Sequence, residues 1–181
     1  TYMGTEAFYK NKLASVTIPN SITSIGNSVF GKNELSEVSI PNSVTTLGAY
    51  AFYDNLLTSV VIPSSVTSLG SGVFQGNELQ SVTIPNTITT IGNYAFWMNE
   101  ITAVIIPNSV TFIGIYAFQS NLLTEFHLPD NYQNNIHSWS DNNAVTYSSG
   151  DVVSDLNTAY TLGDLVVTGM LATNEKEFSF Y

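Results

Sequence analysis

The chain repeats itself every 22 residues. A proline, a glycine, a phenylalanine and an asparagine recur at this interval, within a unit of the form N-x-L-x-x-V-x-I-P-x-x-V-x-x-I-G-x-x-A-F-x-x. The four columns are Pro19, Pro41, Pro63, Pro85, Pro107 and Pro129; Gly4, Gly26, Gly48, Gly70, Gly92 and Gly114; Phe8, Phe30, Phe52, Phe74, Phe96 and Phe118; and Asn11, Asn33, Asn55, Asn77, Asn99 and Asn121. Such a fixed period indicates a solenoid, in which each coil stacks on identical neighbours.

The spacing of apolar residues changes within each unit. Val60 and Ile62 alternate before Pro63, which predicts a short strand with one buried face. Val66 and Leu69 follow at a wider interval, and no segment has the length and periodicity of a helix. The sequence therefore predicts a β-rich solenoid of 22-residue coils, with short parallel strands and return segments made of turns or 3₁₀ pieces.

Three of the columns have structural explanations. Proline has no amide hydrogen for a strand ladder, so we expect it at the end of each strand. The glycine column predicts either a positive φ or a close approach between coils. A buried asparagine can satisfy backbone groups of its own turn and of the adjacent coil, so this column predicts a structural ladder rather than a ligand site.

The unit L-x-x-V-x-I-P-x-x-V-x-x-I-G-x-x-A-F resembles the BspA-like leucine-rich repeat family of bacterial and protist surface proteins. The resemblance spans residues 1–129, about six coils, and implies a curved leucine-rich solenoid that relatives use for adhesion and protein recognition. That family often has cysteine where this chain has asparagine. Residues 1–11 match residues 89–99, so the first coil is incomplete and we expect further repeats upstream.

The period ends after Pro129, and acidic residues become more frequent. Residues 130–164 are similar to an internalin B-repeat, with its W-x-D…Y-x-x-G-D-x-V pattern, and predict a small β-type cap on the last coil. Residues 165–181 form a tail or linker that ends in LATNEKEFSFY, which resembles the linker before a type IX secretion sorting domain in Bacteroidota. The B-repeat similarity is carried by Trp139, Asp141, Tyr147, Gly150, Asp151 and Val153.

The charge balance excludes several classes of partner. Fourteen acidic residues and four basic ones, all lysine, give a formal net charge of -10. Nucleic acids and anionic membrane surfaces are bound through clustered Lys and Arg, so we expect neither as a partner. No apolar stretch approaches the roughly 18 residues that a membrane-spanning helix needs.

No catalytic or metal-binding pattern is evident. His127 and His137 are the only histidines, they lack further ligands at a zinc-like spacing, and cysteine is absent. The chain has no G-x-S-x-G, dinucleotide or Walker motif, and Asp151, Asp155 and Asp164 do not form a calcium loop. The sequence therefore predicts a non-catalytic protein without a cofactor or metal.

Two columns are candidates for binding. The outward positions of the V-x-I strands, on the expected concave sheet, are small and flat, which favours a protein partner over a small substrate. The column after each phenylalanine holds aromatic residues two coils apart; these would suit sugar rings or a partner if they face solvent, and would otherwise pad the turns. The candidates are Glu37, Val61, Thr83, Ile105, Glu125 and His127 on the strands, and Tyr53 and Trp97 in the second column.

These observations favour a secreted or surface-anchored bacterial module that binds a protein partner. Two alternatives stay open. The chain would serve as an accessory glycan-binding or spacer module of a secreted polysaccharide-active enzyme, or as a stalk with no saturable ligand.

Overall fold

The 22-residue repeat of the sequence is the repeat of the fold. The computed structural model describes residues 1–127, 146–148, 156–162 and 165–169, which form eleven strands and no helix. Strand partners lie one repeat apart, as in the parallel pairs Tyr2–Ser24 and Ser24–Thr46. The predicted β-rich solenoid is therefore confirmed. We name each coil by its phenylalanine, from the Phe8 coil to the Phe118 coil.

A six-stranded parallel sheet runs along one side of the stack. Each strand ends directly before a residue of the glycine column, and its last residue points into the core. The strands, in the order in which they pair, are β1 (Tyr2–Met3), β2 (Ser24–Ile25), β3 (Thr46–Leu47), β4 (Ser68–Leu69), β5 (Thr90–Ile91) and β7 (Phe112–Ile113).

The sheet does not lie where the V-x-I motif placed it. No strand forms at Val60 to Ile62, and a single bridge joins Thr17 to Ser39, so the prediction of a paired strand in every V-x-I segment is wrong. The alternation was correctly predicted, because Val60 and Ile62 are buried and Val61 is exposed. The V-x-I segments alternate in burial, but the regular ladder forms on the glycine side, where, for example, the amide of Gly48 donates to the carbonyl of Ile25 at 2.8 Å.

The V-x-I positions pair as strands only towards the carboxyl end of the described array, where β6 (Ala103–Ile105) pairs with β8 (Glu125–His127). A third strand from beyond the repeats, β9 (Thr146–Ser148), pairs with β8 and completes a parallel sheet in the order β6, β8, β9. Separately, β10 (Leu156–Leu162) and β11 (Leu165–Gly169) pair antiparallel. The predicted boundary between residues 164 and 165 falls between these two strands. Most of the B-repeat-like motif and the end of the tail lie outside the described residues, so the cap and linker stay predictions.

The return segments are turns. In residues 1–127 no 3₁₀ helix forms, and each complete coil instead makes a turn that begins at its proline. In the Phe74 coil the amide of Val66 donates to the carbonyl of Pro63 at 3.0 Å, and the Phe52 and Phe96 coils repeat this bond. The proline thus ends the extended segment and starts the turn, as its column predicted.

The interior is one apolar column shared by all coils. Each complete coil contributes the same positions, which in the Phe74 coil are Leu57, Val60, Ile62, Val66, Leu69, Val73 and Phe74. The phenylalanine rings stack from coil to coil, with neighbouring centroids 5.1 to 5.7 Å apart. Phe8 at the first coil is 40% exposed, whereas the other five rings are fully buried.

The glycine column allows close approach between coils. A Cβ atom on Gly48 would lie 2.5 Å from the carbonyl carbon of Gly26, and one on Gly92 would lie 2.7 Å from the backbone nitrogen of Ser71. None of the column glycines has a positive φ. Of the two explanations that the sequence allowed, close approach is therefore the correct one.

The substitution Gly48→Ala is expected to lower the free energy of unfolding by about 1–3 kcal/mol, because the added methyl group forces two coils apart. Gly4→Ala is the matched control, since a Cβ there would meet only the Tyr2 ring edge, at 4.0 Å. Urea unfolding of both variants measures the difference. Equal losses at the two positions would contradict the coil-contact explanation.

Two other columns hold the positive φ angles. They are Glu6, Ser28, Tyr50, Gly72, Tyr94 and Tyr116, and Lys10, Lys32, Asp54, Gly76, Met98 and Ser120. Left-handed backbone at a non-glycine residue costs of the order of 1–3 kcal/mol, so other contacts must hold it. Bonds between coils do so: the amide of Ser28 donates to the carbonyl of Ala49 at 2.9 Å, and that of Lys32 to Tyr53 at 2.8 Å.

Candidate functional site

The outward positions of the V-x-I segments form a continuous face, which we call the strand face. Val61, Thr83 and Ile105 occupy the same position in three successive coils, and Ile105 lies opposite His127 in the β6–β8 register. Val61 is 81% and Ile105 68% exposed, whereas His127 is half-buried. The structure therefore brings these four predicted residues into one column.

The two acidic candidates lie in the neighbouring column of the strand face. Glu37 is exposed, and Glu125 pairs with Ala103 in the β6–β8 register, so the two glutamates stand four repeats apart. Exposed Ser59 and Ser81 lie between them. The strand face is thus a strip of mainly polar positions that carries two exposed aliphatic side chains.

The asparagine ladder closes each coil and joins it to the one before. The Oδ1 atom of Asn55 accepts from the amide of Leu35 at 3.1 Å, and its Nδ2 donates to the carbonyls of Phe30 at 2.9 Å and Phe52 at 3.1 Å. Asn33, Asn77, Asn99 and Asn121 repeat this pattern. Because these side chains are buried and bonded to the backbone, the predicted structural role is confirmed.

Tyr53 belongs to an aromatic cluster on the turns. Its ring stacks on Tyr9, with centroids 6.1 Å apart, and its hydroxyl donates to the Tyr9 hydroxyl at 2.9 Å. The Tyr50 ring meets it edge-on at 5.5 Å, and Lys32 Nζ lies 5.7 Å from its centroid. Lys32 also forms an exposed ion pair with Asp54 at 3.5 Å. The ring of Tyr53 is therefore engaged in contacts within the chain.

The environment of Tyr53 disfavours its ionisation. Burial raises the pKa of Tyr53 well above its usual range, and the hydrogen bond that it donates to Tyr9 acts in the same direction. The negative charges of Asp54 and Glu6 add to the effect. Tyr53 consequently remains a neutral hydrogen-bond donor at physiological pH.

Trp97 belongs to a second, separate cluster. Its half-buried ring meets Tyr94 edge-on at 5.6 Å, and Tyr94 in turn packs on Tyr116 at 5.4 Å. The indole Nε1 is buried without a hydrogen-bond partner in the described structure. Tyr53 and Trp97 thus do not form one platform, because each ring packs against tyrosines of its own cluster.

The repeat architecture matches a known family. The profile of the BspA type leucine-rich repeat region matches residues 1–124 in six copies. The chain belongs to this family. Its members' repeat fold is generally non-catalytic and indicates a module for protein interaction or adhesion.

Two crystal structures share the fold of this BspA-type chain. A leucine-rich repeat protein from Bacteroides ovatus is 24% identical with a TM-score of 0.61, over 82% of this chain and 47% of that one. A leucine-rich repeat protein from Eubacterium ventriosum is 19% identical with a TM-score of 0.52, over 82% and 58% respectively. The chain thus spans about half the length of these relatives. A search of curated proteins finds no match.

Metal ligands do not cluster in the described part of this BspA-type chain. Within it, no group of three His, Cys, Asp or Glu side chains is placed to hold an ion. His137 and the acidic residues of the predicted loops lie outside the described residues. The described residues also contain no helix that is long and apolar enough to cross a membrane.

Sequence reasoning missed the tyrosine pair. Tyr9 and Tyr53 are two repeats apart, and they meet because Gly31 stands between them in the same column. A Cβ atom on Gly31 would lie 2.6 Å from Cδ1 of Tyr53. The signal that could have predicted this contact is the single glycine between two tyrosines in the same repeat column.

Proposed function

We propose that this chain is a secreted or cell-surface bacterial module that binds a protein partner through its strand face. The observation that carries the proposal is the pair of exposed aliphatic side chains, Val61 and Ile105, on a mainly polar strip. Export is supported by the B-repeat-like and linker-like resemblances of residues 130–181.

The strand face has the properties of a protein-docking surface. It extends over several coils, which suits a partner surface better than a small molecule that needs a concave pocket. Burying an exposed Val or Ile side chain contributes roughly 1.5–3 kcal/mol, so two of them can act as anchors. The net charge of -10 favours a partner with basic residues around its apolar contact.

The glycan-binding alternative receives less support from the turns. Sugar rings stack on an open aromatic face, but the Tyr53 ring already contacts Tyr9, Tyr50 and Lys32. Trp97 packs against Tyr94 in the same way. We therefore place the recognition surface on the strand face, and the glycan and stalk alternatives become outcomes of the experiment below.

The double substitution Val61→Asp with Ile105→Asp is expected to weaken partner binding at least roughly tenfold, because it removes both apolar anchors. Binding is measured by biolayer interferometry against a panel of purified secreted and cell-surface proteins, and in parallel on a glycan array. Phe112→Asp is the matched control, since Phe112 is a 51% exposed apolar residue on the glycine-side sheet.

The outcomes separate the three functions. Saturable protein binding that the double variant loses and Phe112→Asp retains supports the proposal. Binding to glycans alone, lost in Trp97→Ala, supports the accessory module instead. A stalk predicts no saturable binding on either panel, and equal effects of the double variant and the control would contradict a role for the strand face.

A further inference from the structure

The hydroxyl groups of Tyr9 and Tyr53 are in contact, and each residue directly follows a phenylalanine of the repeat, in or beside a turn. The hydroxyl oxygens are 2.9 Å apart, whereas the ring centroids are 6.1 Å apart and the planes differ by 24°. The two rings therefore converge towards their hydroxyl ends. The ring carbons ortho to the hydroxyls lie at this convergent end.

Packing holds the two rings in this arrangement. Gly31 contributes no side chain, so the ring of Tyr53 fills the space above the intervening Phe30 coil. Tyr50 packs against the edge of Tyr53, and the Lys32 ammonium group lies 5.7 Å from its ring centroid. Tyr9 and Tyr53 are both half-buried, so each residue stays partly accessible to solvent.

Two phenols in contact couple when each loses one electron. Each tyrosine gives up an electron and its hydroxyl proton and becomes a phenoxyl radical. The radicals join through one carbon–carbon bond between ortho carbons, and the displaced ortho hydrogens move to the oxygens to restore two hydroxyl groups. The net reaction releases two electrons and two protons, which reduce one hydrogen peroxide molecule to two water molecules.

We propose that Tyr9 and Tyr53 form an oxidative cross-linking site, at which hydrogen peroxide acting through a haem peroxidase joins the two rings. Held in contact, the two rings react at the high effective concentration of an intramolecular pair. The product staples the Phe8 coil to the Phe52 coil.

Other tyrosines of the chain provide internal comparisons. Tyr94 and Tyr116 have closer ring centroids, at 5.4 Å, but their hydroxyls form no hydrogen bond with each other in the described structure. Tyr50 meets Tyr53 edge-on, at an interplanar angle of 77°. If contact between hydroxyl ends selects the coupling partners, Tyr9 and Tyr53 react in preference to both of these pairs.

The test treats the whole chain, at low concentration, with a haem peroxidase and limiting hydrogen peroxide. Peptide mapping by mass spectrometry is expected to show a cross-linked peptide pair containing Tyr9 and Tyr53, lighter than the two peptides by two hydrogen atoms. Tyr53→Phe and Tyr9→Phe should each lower the yield of this cross-linked pair at least tenfold. The blue fluorescence of the biphenol should fall by the same factor. Tyr50→Phe, in the same cluster, should leave the yield unchanged.

Tyr9→Phe and Tyr53→Phe both keep the stacked ring, so we expect both variants to fold. Thermal unfolding before oxidation checks this. A coupled product is also expected to resist proteolysis near residues 1–11 more than the untreated chain. The proposal is overturned if Tyr94 and Tyr116 couple as readily, if cross-links form mainly between chains, or if the fluorescence survives in Tyr53→Phe.

Discussion

Replacing Phe74 with alanine is expected to lower the free energy of unfolding by about 3–5 kcal/mol. Phe74 is fully buried, and its ring stacks between Phe52 and Phe96 with both centroid distances at 5.7 Å. The substitution leaves a cavity between two rings that cannot close, because backbone hydrogen bonds such as that from the Phe74 amide to the Ala95 carbonyl, at 2.9 Å, fix the spacing of the coils. In a solenoid the core of each coil packs against that of its two neighbours, so the lost contacts are not replaced from elsewhere.

The matched control is the same substitution at the start of the stack. Phe8 is 40% exposed and stacks on one ring, that of Phe30, at 5.4 Å. We expect Phe8→Ala to cost less than half as much as Phe74→Ala, because less apolar surface is buried there. Urea unfolding followed by circular dichroism compares the two variants. Equal losses of unfolding free energy in the two variants would show that the contribution of a stacked ring does not depend on its burial.

The period made most of the architecture predictable. A side chain that recurs at every coil must occupy the same place in each coil, so the apolar columns, the phenylalanine stack and the asparagine ladder follow from a single alignment of the chain with itself. For the glycine column, the sequence predicted two alternative roles, a positive φ or a close approach between coils. Distinguishing close approach from positive φ needs the distance between coils, as the contact from Gly48 to Gly26 shows.

The position of the sheet was less predictable, because both V-x-I and the segment before each glycine alternate in burial. Alternation indicates an extended chain, whereas a ladder also requires the backbones of adjacent coils to lie within hydrogen-bond distance. On the glycine side the amide of Gly48 donates to the carbonyl of Ile25 at 2.8 Å. Val61 in the V-x-I segment has no strand partner.

The left-handed turns and the aromatic clusters depend on neighbouring coils. Ser28 and Lys32 give no local indication of a positive φ, because bonds to the next coil impose it. In the same way, Tyr53 contacts Tyr9 across an intervening coil, and the choice of partner depends on the glycine between them. Of the candidate site, the sequence predicted which residues share a column, and the contacts of each ring required the structure.

Asn77→Ala is expected to lower the free energy of unfolding by about 3–5 kcal/mol, because it leaves the buried amide of Leu57 without an acceptor and removes the hydrogen bonds that Asn77 Nδ2 donates to two coils. The amide of Leu57 loses its acceptor, which lies 3.1 Å away. The carbonyls of Phe52 and Phe74 each lose one of two asparagine donors, at 3.0 and 3.1 Å, and keep the bonds from Asn55 and Asn99. Chemical denaturation measures the loss.

Asn11→Ala is the control for this position of the repeat. Asn11 is exposed, and its Nδ2 donates to the carbonyl of Tyr9 at 3.2 Å. Because solvent can replace that bond, the control is expected to change the free energy of unfolding by at most about 0.5 kcal/mol. A loss as large as that of Asn77→Ala would contradict the view that the ladder acts by satisfying buried groups.

The variant Asn77→Asp tests the donor side of the ladder through its pH dependence. The introduced carboxyl group would be buried beside the carbonyls of Phe52 and Phe74, so its pKa in the folded state must rise above the unfolded value of about 3.9. The folded state then binds the proton more tightly, and stability relative to the parent falls as the pH rises from the unfolded pKa to the folded one. We expect the deficit to be larger at neutral than at acidic pH, and a deficit independent of pH would show that the Nδ2 donor is not what the two carbonyls require.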